Sequence, residues 1–322
     1  MSTEVEGFQA GDWVEIKGLE AIVQTLDGDG TLDGLPFMPE MVQYCGQQFQ
    51  LGMRARKTCL EYVDHNCTVI GMREFCGDPL WVIDGLRCSG NDHDGCQRGC
   101  LIFWKSEWLR KLSTGSPMGS SSLVNAVTLS PVLKTKVNPD QYFCQSTELV
   151  RVTKPLSIAG RLRICFTEVV SGDVGVLEML KRIVTPIFWK AMDRFVRPRY
   201  VIGPLEKTAL ARIDLRSGEL VEVKSSDEIK QTLNRKGCNR GLRYDHGLNQ
   251  FCGTRHRVRD RLDRIIIEST GRMVNIQGTV TLVDTTCLCY MNALGGCPRQ
   301  DPVYWRESWL KRAGEEVALR RE

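Results

Sequence analysis

No stretch of the chain approaches the eighteen or so consecutive apolar residues that a membrane-crossing helix needs, so the sequence predicts no membrane segment. The opening residues, Met1 to Gly7, are acidic and carry no apolar core, which predicts no secretory signal and, by default, a cytoplasmic location. Surplus charge is small: a net +4 falls well short of a dedicated nucleic-acid binder and leaves that reading unfavoured. Locally, Arg255, Arg257, Arg259, Arg261 and Arg264 alternate with Val258, Asp260, Leu262 and Asp263, the pattern of a solvated strand face rather than a phosphate stripe. Phosphate loops of the Walker type, dinucleotide-type glycine fingerprints after a strand, paired-histidine zinc motifs and nucleophile elbows are all missing. Histidine is scarce, four in 322 residues, and His246 and His256 stand alone as surface or capping residues.

Cysteine is abundant by contrast, with fourteen in the chain. In a reducing compartment that count points to metal ligands and buried thiols more than to disulfides. Cys88, His93, Cys96 and Cys100 fall within thirteen positions among glycines and small polar residues that cannot build a core. A glycine-rich loop can turn tightly enough to aim such side chains at one point, and zinc takes four N/S donors in a tetrahedron. The spacing matches no standard finger, so zinc is the first expectation and an iron–sulfur cluster the alternative. Cys59, beside Arg56 and Lys57, is a further candidate ligand, because neighbouring cations favour the thiolate. Asp92 and Asp94 flank His93 and would be the bases or supporting partners of a catalytic site.

The chain also repeats itself. Gly11-Asp-Trp-Val-Glu-Ile-Lys17 recurs as Gly218-Glu-Leu-Val-Glu-Val-Lys224, an offset of 207 that also pairs Tyr44-Cys45-Gly46 with Phe251-Cys252-Gly253 and Glu61 with Glu268. Trp104 and Trp108 recur as Trp305 and Trp309 at an offset of 201, which places six extra residues in the first copy between about Glu61 and Cys88. An ungapped register over some fifty positions predicts a duplication. Cys88 and Cys96 align with Cys289 and Cys297, while His93 faces Leu294, Cys100 faces Asp301 and Cys59 faces Ile266. The second copy therefore predicts a degenerate site at Cys287, Cys289 and Cys297, which would recruit Asp301, Cys252 or Cys238. The repeated Cys45 and Cys252, each before a glycine, read as packed thiols at tight turns, although Cys45 with His65 would in principle make a nucleophile and base.

Alternating residues after Gly11 predict a strand over 13–17, then a short helix over 19–26, a helical piece at 39–42, a strand from Gln47 to about Val63 and another over 80–83. Residues 104–111 are expected to form an amphipathic helix with Trp104 and Trp108 on one face. In the second copy Arg255–Glu268 and Met273–Val283 predict a long hairpin. Ser113 to Ser122 is a flexible linker composition, and 139–205 has helical spacing, with a helix over Asp173–Phe195 interrupted at Pro186. The expected fold is α+β: a first barrel module at 8–112 with the Cys/His loop, a Ser/Gly-rich linker at 113–138, a helical connector at 139–205 and a second, degenerate barrel module at 206–314. The glycine-led first strand and long hairpin resemble small SH3-like barrels.

The motif set, Gly34-Leu-Pro-Phe-Met-Pro-Glu-Met41, Tyr44-Cys-Gly46, Lys57-Thr-Cys59, Gly85-Leu-Arg-Cys88, the Cys/His loop and Tyr142-Phe-Cys-Gln-Ser-Thr-Glu148, resembles an uncharacterised bacterial two-module, Cys-rich family. Members are often encoded near natural-product or polysaccharide biosynthesis genes. That resemblance implies a two-module layout and a biosynthetic context. Three functions fit: a zinc-stabilised accessory or scaffold protein that docks a protein or small-molecule substrate of a biosynthetic pathway; a metalloenzyme using the Cys/His site; and a tandem nucleic-acid-binding module.

Overall fold

The computed structural model describes residues 7–64, 67–78, 80–112, 133–184, 201–287 and 298–313. Strands dominate and the helices are few. In the front part β1 (Trp13–Ile16), α1 (Leu19–Val23), the short pair β2 (Thr31–Leu32) and β3 (Leu35–Pro36), and a 3-10 turn at Pro39–Tyr44 precede β4 (Gln48–Ala55), β5 (Lys57–Asp64), β6 (Cys67–Phe75), β7 (Leu80–Arg87), β8 (Leu101–Trp104) and β9 (Leu109–Lys111). Five of these form one antiparallel sheet in the order β8-β7-β4-β1-β9.

The connector contributes β10 (Lys136–Asn138), β11 (Gln141–Tyr142), α2 (Gln145–Val152), β12 (Thr153–Pro155), α3 (Ile158–Val170) and a helix α4 over residues 176–184. The rear part then lays down β13 (Leu220–Val223), α5 (Ser226–Lys230), β14 (Cys238–Asn239), β15 (Leu242–Arg243), a 3-10 turn at His246–Phe251, β16 (Arg255–Ile266), β17 (Met273–Thr286), β18 (Pro302–Arg306) and β19 (Leu310–Arg312). Its sheet runs β18-β17-β16-β13-β19, the same order as the first.

The two sheets agree residue by residue. Trp13 faces Gln50 as Leu220 faces Arg257, and Val14 faces Lys111 as Val221 faces Arg312. Trp108 donates its indole N–H to Thr25 Oγ1 at 3.2 Å, and Trp309 donates to Thr232 Oγ1 at 3.0 Å. These tryptophans are wholly buried, and the bond satisfies an N–H that burial would otherwise strand, as it does that of Trp104, which has no partner among the described residues. The expected helix at 104–111 is replaced by β8, a 3-10 turn at Ser106–Trp108 and β9. Trp104 and Trp108 meet in one core with Phe37 between them, at ring distances of 6.4 and 5.2 Å, which the i, i+4 spacing mimics without a helix.

The hairpins are where the copies diverge. In the rear, β16 and β17 are continuous strands that shift register twice. In front, the chain breaks at Arg56: β4 pairs with β7, while β5 and β6 form a separate eight-pair ladder that β12 extends. The expected single strand from Gln47 to Val63 is therefore two, with β6 in addition. The connector packs on the front core through Cys144, Leu149 and Val152. Gln145 acts there as a surrogate strand, its side-chain amide accepting from Phe103 N and donating to Phe103 O, both at 2.8 Å. The chain enters the rear core already at Val201. Residues 113–132 of the expected linker, the helix beyond residue 184, His65, Cys289 and Cys297 lie outside the described residues.

Candidate metal centre

The loop between β7 and β8 is closed at its base by a bond from Cys88 N to Cys100 O, 2.8 Å. Inside it Gly90 O accepts from both His93 N at 2.9 Å and Gly95 N at 3.0 Å, and His93 O accepts from Cys96 N at 3.1 Å. Such tight winding needs left-handed backbone, which Gly90 (φ 73°), Asp94 (φ 49°) and Gly95 (φ 73°) supply. At Gly90 a Cβ would sit 1.8 Å from Cys96 O, so only glycine lets the loop fold back on itself.

Two anchors fix the loop from outside. Lys136 donates to Asp94 Oδ2 at 2.8 Å, and the Tyr142 hydroxyl donates to the same oxygen, tying the loop to β10 and β11. On the other side Gln97 docks on the open edge of β16: its N–H donates to Arg264 O at 3.0 Å, and its side-chain oxygen accepts from Asp263 N at 2.6 Å and Arg264 N at 3.0 Å. The loop thus sits at the junction of the two repeats.

This arrangement turns His93 inward, where it is 1 % exposed. Its Nε2 lies 3.2 Å from Phe143 O, a carbonyl that can only accept, so Nε2 carries the hydrogen and Nδ1 presents its lone pair. Nδ1 is buried and has no hydrogen-bond partner among the described residues. Glu40, from the 3-10 turn after β3, is also buried; its Oε2 accepts from Ser89 N at 2.8 Å and Ser89 Oγ at 3.1 Å, while Oε1 is likewise buried without a partner. One donor atom each from Glu40, Cys88 and His93 lie within 4.8 Å of one another, and this is the one such group among the described residues.

Two of the three, Cys88 and His93, open on a cavity of about 20 Å³, enough for a water or an ion, whose wall does not include Glu40. Cys88, His93, Cys96, Cys100, Cys144 and Arg98 all line it. Of the expected tetrad, then, Cys88 and His93 come together with Glu40, while Cys96 and Cys100 stand around the same cavity outside that group. Cys96 Sγ accepts from Ile266 N at 3.4 Å, and Cys100 bonds Ser146 Oγ at 3.5 Å. Burial pushes the Cys100 thiol up to about 12, against the pull of Arg98 and Arg299, pushes Cys144 up to about 11, and raises Cys88 further with help from Cys100 and Glu40. These thiols are neutral until a cation displaces their protons.

Cys59 lies elsewhere, buried on β5, where its backbone oxygen accepts from Arg299 Nη1 at 3.0 Å. Cys287 neighbours Asp301 through a 2.7 Å bond from its N–H to Asp301 O, and Cys238 is disulfide-bonded, which removes it from the ligand candidates of the second copy. Burial pushes the Cys45 thiol up to about 11, as befits a packed turn residue. Asp94, held low by Lys136 and Tyr142, is committed to anchoring the loop. Sequence reasoning passed over Glu40 and Cys144. One signal was available: at the offset of 207 Glu40 faces Gly247, so Glu40, like His93, is peculiar to the first copy.

Behind the cavity lies a buried charge network that repeats the symmetry. Glu61 and Glu268 are equivalent at offset 207, and Arg98 and Arg299 at offset 201. Arg98 pairs with Glu61 and lies 3.4 Å from Glu268; Arg299 lies 2.6 Å from Glu268 and 2.9 Å from Asp301. Glu268 also accepts from Glu61 N and Ser146 Oγ, each at 2.7 Å. Comparison with known proteins yields no family model, no curated protein and no solved structure that matches the chain.

Proposed function

We propose that this protein binds one transition-metal ion, zinc foremost, through Glu40, Cys88 and His93, and serves as a metal-organised accessory protein of a biosynthetic pathway. The observation that carries the reading is the pair of buried, unpartnered acceptors, His93 Nδ1 and Glu40 Oε1, next to the Cys88 thiol. A buried polar atom without a partner costs roughly 1–3 kcal/mol, and a cation relieves two at once. Nε2 held by a backbone carbonyl is the support that metal-binding histidines receive. A carboxylate, a thiolate and an imidazole suit zinc, whereas iron–sulfur clusters take mainly thiolates. In this reading the two sheets are SH3-like barrels from one duplication, and the ion pins the first copy's loop at their junction.

Accessory work needs a docking face, and α3 offers one: Ile158, Leu162, Phe166 and Val170, four residues apart, are all more than half exposed. A nucleic-acid role has less support, because the arginines of β16 are engaged internally: Arg255 with Glu222, Arg259 with Asp260 and Arg261 with Asp263. A metalloenzyme is the second reading, favoured by a three-donor group of which Cys88 and His93 border a cavity that would leave a coordination position open. The test is metal analysis of purified protein with wild-type, Glu40→Gln and His93→Ala chains. One zinc per chain, lost or weakened in both variants, supports the reading; a metal content indifferent to both substitutions defeats it.

A further inference from the structure

Cys88 and Cys100 stand opposite each other at the loop ends of β7 and β8, one step beyond the paired Arg87 and Leu101, with Cys88 N–H donating to Cys100 O at 2.8 Å. Side chains of directly opposed residues leave the same face of a ladder with Cβ atoms about 5 Å apart, and both thiols line the same cavity. Sulfur dominates its wall: Met38, Cys96 and Cys144 join them, Glu40 is absent, and the oxygen-bearing side chains are engaged, Gln145 with Phe103 and Ser146 with Glu268. Among the described residues no three of the cavity's thiols and His93 gather within 4.8 Å, so these sulfurs do not build a tetrahedral zinc position of their own. An ion content with two donors does fit: monovalent copper, which soft sulfur ligands select and which two thiolates in line satisfy. We propose that the cavity is a second, softer metal position, which takes one Cu(I) between the sulfurs of Cys88 and Cys100.

The proposal rests on the reading of this loop as a metal site and extends it to a second class of ion. Size agrees, since about 20 Å³ admits one ion and no accompanying ligand. Binding exchanges two thiol protons for one Cu(I) and leaves a bis-thiolate complex with one negative charge, with no change of oxidation state. Donors for that charge are in place. Arg299 Nη2 donates to Cys100 Sγ at 3.9 Å, and Arg98, in the cavity wall, holds Nε and Nη1 buried without a hydrogen-bond partner among the described residues. Guanidinium N–H groups only donate, and a thiolate sulfur accepts. A divalent ion, by contrast, finds no carboxylate in this wall to offset it beside Arg98. Cys88 is common to both positions, so Cu(I) in the cavity and Zn²⁺ on Glu40, Cys88 and His93 exclude each other.

The experiment titrates the reduced full-length protein, without oxygen, against the Cu(I) complex of bicinchoninate, whose colour fades as copper is withdrawn. The expected result is one Cu(I) withdrawn per chain, with affinity about tenfold or more weaker in Cys100→Ser and unchanged in Glu40→Gln. Zn²⁺ binding should follow the opposite pattern, weakened in Glu40→Gln and kept in Cys100→Ser, while Cys88→Ser loses both. Copper that stays with bicinchoninate while zinc still binds overturns this inference and leaves the zinc reading standing; copper uptake that depends on Cys100 in a protein that takes no zinc supports it and defeats the zinc reading alone. Copper uptake indifferent to Cys100→Ser puts the ion on thiols elsewhere and overturns the inference. Should Cys100→Ser fail to fold, X-ray absorption of the wild-type Cu(I) protein decides: two sulfur neighbours support the site, and three sulfurs or a nitrogen beside the copper overturn it.

Discussion

The carboxylate of Glu268 lies 2.6 Å from the guanidinium of Arg299, both enclosed where the two repeats meet. Burial pushes this carboxyl up, but Arg299 and Arg98 outweigh it and hold it down at about 2. Its ionised form is favoured by the fold, so its contribution is fully present above the unfolded value near 4.5 and is lost as pH falls from there through about 2. Glu268→Gln is expected to destabilise by about 3 kcal/mol, because it removes the carboxylate that two buried guanidinium groups share and leaves Arg98 only Glu61 and Arg299 only Asp301. The check is urea denaturation at pH 7 and pH 3: the gap between variant and wild type should narrow at the lower pH.

Metal binding should appear as thermal stabilisation that depends on the same three residues. With Zn²⁺ at about a hundred times its Kd, the wild-type protein gains about 2.7 kcal/mol. His93→Ala and Glu40→Gln should lose most of that gain while keeping cooperative melting in EDTA. Calorimetric scans with and without Zn²⁺ decide it.

Gly90→Ala should prevent the loop from closing. The added methyl meets Cys96 O at 1.8 Å, and the backbone is left-handed there. Main chain cannot yield as a side-chain end can, so a loss of about 3 kcal/mol or more, with weakened metal binding, is expected. Gly77→Ala is the control, a glycine of positive φ with nothing within 4 Å of its Cβ, and should cost no more than about 1–2 kcal/mol. Chemical denaturation of the two variants compares them.

The repeat predicts matched costs in two places. Trp108→Phe and Trp309→Phe each remove an indole N–H bonded to a threonine hydroxyl in a full core, Thr25 in one case and Thr232 in the other. Each should cost about 1–2 kcal/mol, and because the two cores are separate the double variant should show their sum. Clear departure from additivity would show that the two positions are energetically coupled across the repeats.

Much of the layout was legible from the residues. Copy-to-copy offsets of 207 and 201 located elements in register: α1 at Leu19–Val23 with α5 at Ser226–Lys230, and β9 at Leu109–Lys111 with β19 at Leu310–Arg312. That works because a repeated pattern of buried and exposed positions imposes the same sheet twice, whatever surrounds it. The exception was Trp104 to Lys111, where spacing of four suggested a helix; two tryptophans also reach one core from a strand and the turn after it.

The loop itself was also readable, since Cys88, His93, Cys96 and Cys100 sit within one short span. Which donors converge was not. Glu40 is 48 residues before Cys88 and reaches it only because Ser89 hydrogen-bonds the turn after β3. Cys144 arrives with α2, and Ile266, whose N–H faces Cys96, arrives with the second repeat. Sequence determined a duplicated, strand-rich chain with a thiol-rich bend in its first copy. Only the tertiary structure decided that a carboxylate joins the imidazole and one thiol, because proximity across long separations is set by how the modules pack and leaves no local spacing to read.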